Sequence, residues 1–397
     1  MQPFSYDMPY PSQRMPILAR NIVATSQPLA AQAGLIMLKK GGNAVDAAVA
    51  AAITIAVVEP NNNGLGSDAF AIVWDGRKLH GLNASGRSPA ALRREHFDGC
   101  ETMPELGWGP TTVPGAVSAW VELSDKFGKL PFGDLFDMAI EYAENGFPVS
   151  PITALRWKEA GEKYRDYPDY APVFLPGGRA PKAGEIMYFK DHARSLRFIR
   201  DTQGEAFYRG ELAEKIAEHA ARTGGLMTAA DCAAHRADWV EPVSQDFAGV
   251  TLHEIPPNGQ GIAALIALGI LKHWDIEKYP VDSADSVHLQ LEAMKLAFAD
   301  THRYVSDPAA MELTSSNMLD EEYLAGRAKL IDMKKANNPS WGIPPKGGTI
   351  YLTAADTDGM MVSYIQSNYV SFGSGIVIPG TGIAIQNRGY CFTLEKG

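Results

Sequence analysis

A threonine hydroxyl is a poor nucleophile until a base stands beside it, and Thr349 is placed where such a base could be supplied. It follows the run Pro344-Pro345-Lys346-Gly347-Gly348 and opens a strand-like stretch that continues through Ala354. A cut before Thr349 would free its own α-amine, whose ordinary pKa of about 7.7–8.0 makes it a competent base near neutral pH. Gly348 has no side chain to obstruct attack on its carbonyl. It also tolerates the strained backbone that an N-to-O acyl shift needs. The bland alternative is that Thr349 is an ordinary turn or cap residue at a strand start. Asp358-Gly359 is a turn signal, so the chain folds back as a hairpin. A turn centred on Thr357-Asp358 or Asp358-Gly359 puts Thr349 opposite residues 366 to 368. Gln366, Ser367 or Asn368 then stands beside it, and the Ser367 hydroxyl could orient the Thr349 hydroxyl.

Other chemistries have less support. The nine histidines are scattered without HxxxH or HExxH spacing, and the three cysteines form no CxxC, so no metal or other cofactor is expected. Phe372-Gly373-Ser374-Gly375 lacks the GxSxG pattern of a serine hydrolase elbow. Gly64 and Gly66 precede a strand rather than a helix, which favours a close backbone approach near a site over a phosphate cradle. Arg87 is a candidate carboxylate clamp, with a solvated loop arginine as the alternative.

The totals bound the partners. A net charge of −10 over 397 residues argues against nucleic acid or anionic membranes. Cys100, Cys232 and Cys391, odd in number and scattered, suit a reducing compartment. The N-terminus has no secretory pattern, and the longest apolar run, Ala47 to Val58, falls short of the ~20 residues that span a bilayer. A cytoplasmic protein is expected.

The elements that must position these residues can be read in part. Pro28 to Lys40 reads as a helix closed by Gly41-Gly42. Asn43 caps a second, alanine-rich packing helix that Pro60 ends. Ala69 to Trp74 alternates as a strand, and the stretch from Leu79 to Leu92 reads as a polar loop holding Asn83, Ser85 and Arg87. Helices are expected within 107–148, the last over Leu135 to Glu144. Lys163 to Lys190, rich in Tyr, Pro and Gly, reads as a long covering loop. Helices follow at His192–Arg200, Glu211–Arg222, Ala229–Arg236, Ile262–His273, Ser283–Arg303 and Leu319–Met333, with a strand at Val250–Glu254.

Taken together, the chain resembles the γ-glutamyltransferase family of N-terminal-nucleophile hydrolases. The resemblance rests on GGNAVDAAVAAA (41–52), VVEPNNNGLGSDAF (57–70), LPFGDLFDMAIEYAENGFPV (130–149) and GEAFYRGELAEKI (204–216). PPNGQG (256–261), EAMKLAFADTHRYVSDP (292–308) and the run from 349 to 389 complete it, in the same order. It implies an α/β (α+β) fold, a four-layer αββα sandwich, made as a precursor that cuts itself between Gly348 and Thr349. Thr349 falls on the family's nucleophile and Ser367 on the assisting hydroxyl. Residues 1–348 would be the large-subunit region, with a helical lobe and covering loop over about 107–340. Residues 349–397 would be the start of a small-subunit region, truncated because family members continue past the NRG motif with the oxyanion glycines. The expected partners are a small-molecule amide substrate, the chain's own two subunits after self-cleavage, and a second copy in a homodimer.

The site positions depart from the glutathione-cleaving branch. Its carboxylate-binding arginine falls on Ser85, in the loop Ser85-Gly86-Arg87-Ser88-Pro89, and its α-amino ligands fall on Tyr369, Arg388 and Cys391. The resemblance is therefore to the acylase or amidohydrolase branch, with Arg87 and Arg388 as candidate carboxylate contacts. A true γ-glutamyltransferase and a non-catalytic binding relative are the alternatives.

Overall fold

The computed structural model describes residues 17–339 and 350–394; Gly348 and Thr349 lie outside the described residues. Those residues fall into two compact units, one formed by 21–240 with 350–394 and the other by 17–20 with 241–339.

The first unit is built on a six-stranded antiparallel sheet. Its strands are β1 (Ile22–Ala24), β2 (Asp68–Trp74), β3 (Leu79–Ala84), β4 (Asp238–Val240), β5 (Ile350–Ala355) and β6 (Met361–Ser367). Their spatial order is β1-β5-β6-β2-β3-β4, so the hairpin of β5 and β6 sits inside the sheet rather than at an edge. The strands alternate as a half-covered sheet requires. Ala69, Ala71 and Val73 of β2 and Val362, Tyr364 and Gln366 of β6 are buried, whereas Phe70, Ile72 and Trp74 on the other face are only half-buried.

Helices α1 (Pro28–Lys39), α2 (Ala44–Val58) and α3 (Ala116–Phe127) belong to the same unit. Every residue of α2 is buried, which its small side chains allow by letting neighbouring backbones come close. A Cβ on Gly34 of α1 would stand 2.7 Å from the Ala47 carbonyl oxygen. The start of α2 is fixed by a reciprocal cap. Asn43 Oδ1 accepts from Val45 N and Asp46 N, and the buried Asp46 carboxylate accepts from Asn43 N at 2.8 Å. Asp46 also accepts from Lys129 N at 3.0 Å, which ties the cap to the loop after α3. The helix stops at Glu59 because Pro60 cannot continue it.

Three expectations are corrected. The stretch from Leu79 to Ala84 is strand β3, because β2 and β4 flank it and satisfy its backbone groups. Residues 163–190 do not form one long loop. They hold a short helix, Tyr170–Phe174, and Tyr164 and Tyr170 are fully buried. Aromatic packing explains the order: Phe174 and Tyr170 lie 4.9 and 5.2 Å from the ring of Phe372. The expected helix from Leu319 to Met333 is shorter, Glu321–Ala328, and a separate turn of helix, Ser315–Met318, precedes it as the first of two. Asp320 starts the second by accepting from Tyr323 N at 2.9 Å. A helix at Pro151–Lys163 was not foreseen, although Ser150-Pro151 is a helix-start signal.

The second unit has its own apolar core. It comprises the hairpin of Val243–Phe247 and Val250–Glu254 and the helices Ile262–Leu271, Ala284–Tyr304, Ser315–Met318 and Glu321–Ala328. No helix among the described residues is long and apolar enough to cross a membrane.

Candidate active site

The inner end of β6 is where the polar residues of the chain gather. Gln366, Ser367 and Asn368 are each fully buried. The hairpin closes through a turn at Asp356–Met360, and its register pairs Gln366 with Ile350. On its other side β6 pairs with β2, Gln366 against Ala69 and Ser367 against Asp68.

Gln366 is the hub of a closed network. Its Oε1 accepts from Trp120 Nε1 at 2.8 Å and from the Tyr364 hydroxyl at 2.9 Å. Its Nε2 donates to Asn63 Oδ1 at 2.6 Å, and Asn63 Nδ2 donates back to the Gln366 carbonyl at 3.1 Å. Beyond Ser367 the chain leaves the sheet. Ser367 Oγ accepts from Tyr369 N at 2.8 Å, and Asn368 Oδ1 accepts from Ser67 Oγ at 2.8 Å. Tyr369 has a φ of 75°, the left-handed region that L-residues other than Asn and Asp seldom enter.

The loop before β2 meets the segment 384–389 along its backbone. Gln386 N donates to the Gly66 carbonyl at 3.1 Å, and any Cβ on Gly66 would overlap the Ala384 carbonyl oxygen. The sequence expectation of a close backbone approach at Gly64–Gly66 is thus met, and glycine is required there. Asn387 N donates to the Asn368 carbonyl at 3.1 Å, and Asn387 Oδ1 accepts from Val370 N at 3.0 Å. These bonds tie the segment that carries Arg388 to the chain just after β6.

Arg388 meets a partner that sequence reasoning did not single out. Its Nη2 donates to Asp68 Oδ1 at 2.8 Å and its Nε donates to Asp68 Oδ2. Its guanidinium carbon lies 5.0 Å from the centre of the Tyr369 ring and 5.6 Å from that of Phe70. Burial opposes the charge on Arg388, but the Asp68 carboxylate more than offsets this, so the group titrates above its ordinary value. Burial pushes the Tyr369 phenol up, which keeps it neutral. The sequence signal for Asp68 was an acidic residue heading an apolar strand, which must find a cation if buried.

The remaining candidates are held more loosely. Ser85 N and Oγ both donate to Asn83 Oδ1, at 3.0 and 2.8 Å, and Gly86 presses against the Val113 backbone. The Arg87 carbonyl accepts from Val113 N at 2.9 Å while its side chain is exposed. Next to Val113, Thr112 accepts from Gln386 Nε2, so the Ser85–Arg87 loop connects to the Arg388 segment through residues 112 and 113. Cys391 is exposed, and its thiol donates to the Arg388 carbonyl at 2.9 Å. No group of three or more His, Cys, Asp or Glu among the described residues could hold a metal ion.

A sequence profile described as gamma-glutamyltranspeptidase matches residues 30–396. The chain belongs to that family. Among curated members it is 36% identical over 380 residues to a glutathione hydrolase-like YwrD proenzyme of Bacillus subtilis, covering 95% of this chain and 72% of that one. It is 36% identical to an oxamate amidohydrolase proenzyme of Klebsiella pneumoniae, covering 92% and 70%. Among solved structures it is 48% identical to a cephalosporin acylase from Bacillus halodurans. That match covers 99% of this chain and 74% of the other, with a TM-score of 0.90. The mixed helix-and-sheet fold is thus the N-terminal-nucleophile hydrolase fold expected, and this gamma-glutamyltranspeptidase-family chain is an enzyme among acylases, amidohydrolases and glutathione hydrolases.

Proposed function

We propose that this protein is a self-cleaving threonine amidohydrolase whose preferred acyl group ends in a carboxylate. The observation that carries the reading is the register at the inner end of β6. Ile350, the residue after Thr349 in the chain, stands opposite Gln366, and Ser367 is the next residue along. In this reading the Thr349 hydroxyl first attacks the Gly348 carbonyl. The peptide bond becomes an ester as the Thr349 nitrogen takes the proton, and water hydrolyses that ester. The freed α-amine then serves as base. It takes the hydroxyl proton as Thr349 attacks a substrate amide, returns it to the leaving amine, and leaves an acyl-enzyme for water or an acceptor amine. Ser367 orients the hydroxyl.

Acyl choice rests on the cations. Arg388 would repel the ammonium of a γ-glutamyl donor, and Ser85, Tyr369 and Cys391 replace the groups that hold such a donor in the glutathione-cleaving relatives. Arg388 and Arg87 are assigned to the acyl carboxylate. A similar protein named as an oxamate amidohydrolase, whose substrate carries a carboxylate, supports this choice. Residues 1–348 and 349–397 are assigned to the two pieces, and three free cysteines suit a reducing, cytoplasmic setting.

Intact-mass analysis tests the first step. The wild type should yield a new N-terminus at Thr349, and Thr349→Ala should stay whole. A folded wild type that remains uncut after prolonged incubation overturns the reading. Release of 4-nitroaniline should be faster from a glutaryl anilide than from a γ-glutamyl anilide; the reverse order would favour the glutathione-cleaving branch.

A further inference from the structure

We infer that Asp68 is the positioning residue of acyl recognition: it grips Arg388 along one side and leaves the far end of the guanidinium to the acyl carboxylate. This rests on the function proposed above. Asp68 is 1% exposed and stands directly opposite Ser367 in the β2–β6 register. It therefore links the strand end beside the assisting hydroxyl to the cation assigned to the acyl group. Arginine carries five N–H bonds in a rigid plane. Asp68 takes one from Nε and one from Nη2, and Phe70 and Tyr369 lie over the group. Arg388 makes no other side-chain hydrogen bond among the described residues, yet its side chain is 21% exposed. The N–H bonds that Asp68 does not take lie at the end bearing Nη1, where two of them run parallel and match a carboxylate.

A plain structural ion pair is the competing account. Buried pairs contribute little net stability, since desolvation offsets attraction. A pair with one partner left partly open is better explained by a ligand that completes it. Asp68 also tempers the charge. A carboxylate at the Nη1 end is nearer Arg388 than Asp68, so attraction persists but is reduced.

The test compares kcat/KM for glutaryl 4-nitroanilide with that for its terminal-carboxamide isostere. The wild type should prefer the carboxylate by on the order of tenfold, as a charge-assisted two-point contact implies. Asp68→Asn should bring that ratio down to the value for Arg388→Gln. Because Asp68→Asn leaves a buried cation without its partner, the Asp68→Asn/Arg388→Gln double variant, which removes both charges, is measured too. It should show the same ratio as Arg388→Gln alone, since Asp68 acts only through Arg388. The inference is overturned if Asp68→Asn keeps the wild-type ratio, if the double variant departs from Arg388→Gln, or if the wild type hydrolyses both anilides without preference. A wild type that neither cuts itself nor hydrolyses either anilide overturns the proposed function instead.

Discussion

Replacing Gln366 by leucine should cost more stability than its size suggests. The side chain is fully buried and makes four hydrogen bonds, the longest of them to the Ala52 carbonyl at 3.3 Å. Trp120 Nε1 and the Tyr364 hydroxyl both donate to its Oε1, and Asn63 Oδ1 accepts from its Nε2. Leucine has nearly the same volume, so the pocket stays filled while two donors and one acceptor lose their partners. Each buried orphan costs about 1–3 kcal/mol. Leucine gains back about 1 kcal/mol from its larger apolar surface. The net loss is about 2–8 kcal/mol, which for a unit of this size lowers Tm by roughly 5–30 °C. Thermal unfolding followed by tryptophan fluorescence reads this directly, because Trp120 is one of the stranded donors. Adding Trp120→Phe to the leucine variant should cost less than Trp120→Phe alone, since its bond is already gone. A Gln366→Leu protein melting within about 2 °C of the wild type would refute the reasoning. It would mean that water or a shifted side chain satisfies those groups.

Two further outcomes follow from the same geometry. Gly66→Ala should slow or abolish self-cleavage and lower Tm, because the new Cβ overlaps the Ala384 carbonyl oxygen and the strand-like contact with Gln386 must open; mass spectrometry and a melt check both. His192 is buried against Phe174 and Phe189, and burial pulls its pKa down from 6.5 to about 3. The folded chain therefore keeps His192 neutral, while the unfolded chain protonates it below about 6.5. Its contribution is fully present above pH 6.5 and is lost as pH falls from there towards 3. The slope is about 1.4 kcal/mol per pH unit. His192→Gln should flatten the acid limb of urea-unfolding free energy by about that amount between pH 6 and 4; an unchanged slope there would show that His192 is hydrated or protonated in the folded state.

What was legible in the sequence was local. Asn43 and Pro60 bracket α2, and Asp358-Gly359 sets the hairpin, because caps and turns are decided by residues a few positions apart. The hairpin narrows the residues of β6 that face the start of β5 to Gln366, Ser367 or Asn368, and only the family resemblance points to Ser367 among them. What was not legible depends on distant partners. Leu79–Ala84 contains Gly81 and Asn83, which read as turn residues, and it becomes a strand only because β2 and β4 lie beside it. Tyr164, Tyr170 and Phe174 look like loop aromatics until Phe372 arrives from some two hundred residues later. Asp68 was overlooked for the same reason, its partner being 320 residues away. Arg388 was read as a bare cation, whereas the structure gives it a counter-ion.

The place of the proposed cut explains how a chain could break itself without coming apart. The piece after the cut contributes β5 and β6, which occupy inner positions of the sheet. β5 pairs with β1 as well as β6, and β6 pairs with β2 along seven residue pairs, from Met361 with Trp74 to Ser367 with Asp68. None of these pairs includes Gly348 or Thr349, so hydrolysing the bond between them removes no rung described in the sheet. The side-chain links behave alike. Trp120 and Asn63 belong to the piece before the cut and Gln366 to the piece after it. Asp68 and Arg388 likewise sit on opposite sides of the cut. Each of the two pieces thus presents polar groups whose buried partners lie on the other, and separation would expose or orphan all of them at once. In the proposed mechanism, stability of the cut form and the geometry of acyl recognition would therefore depend on the same contacts.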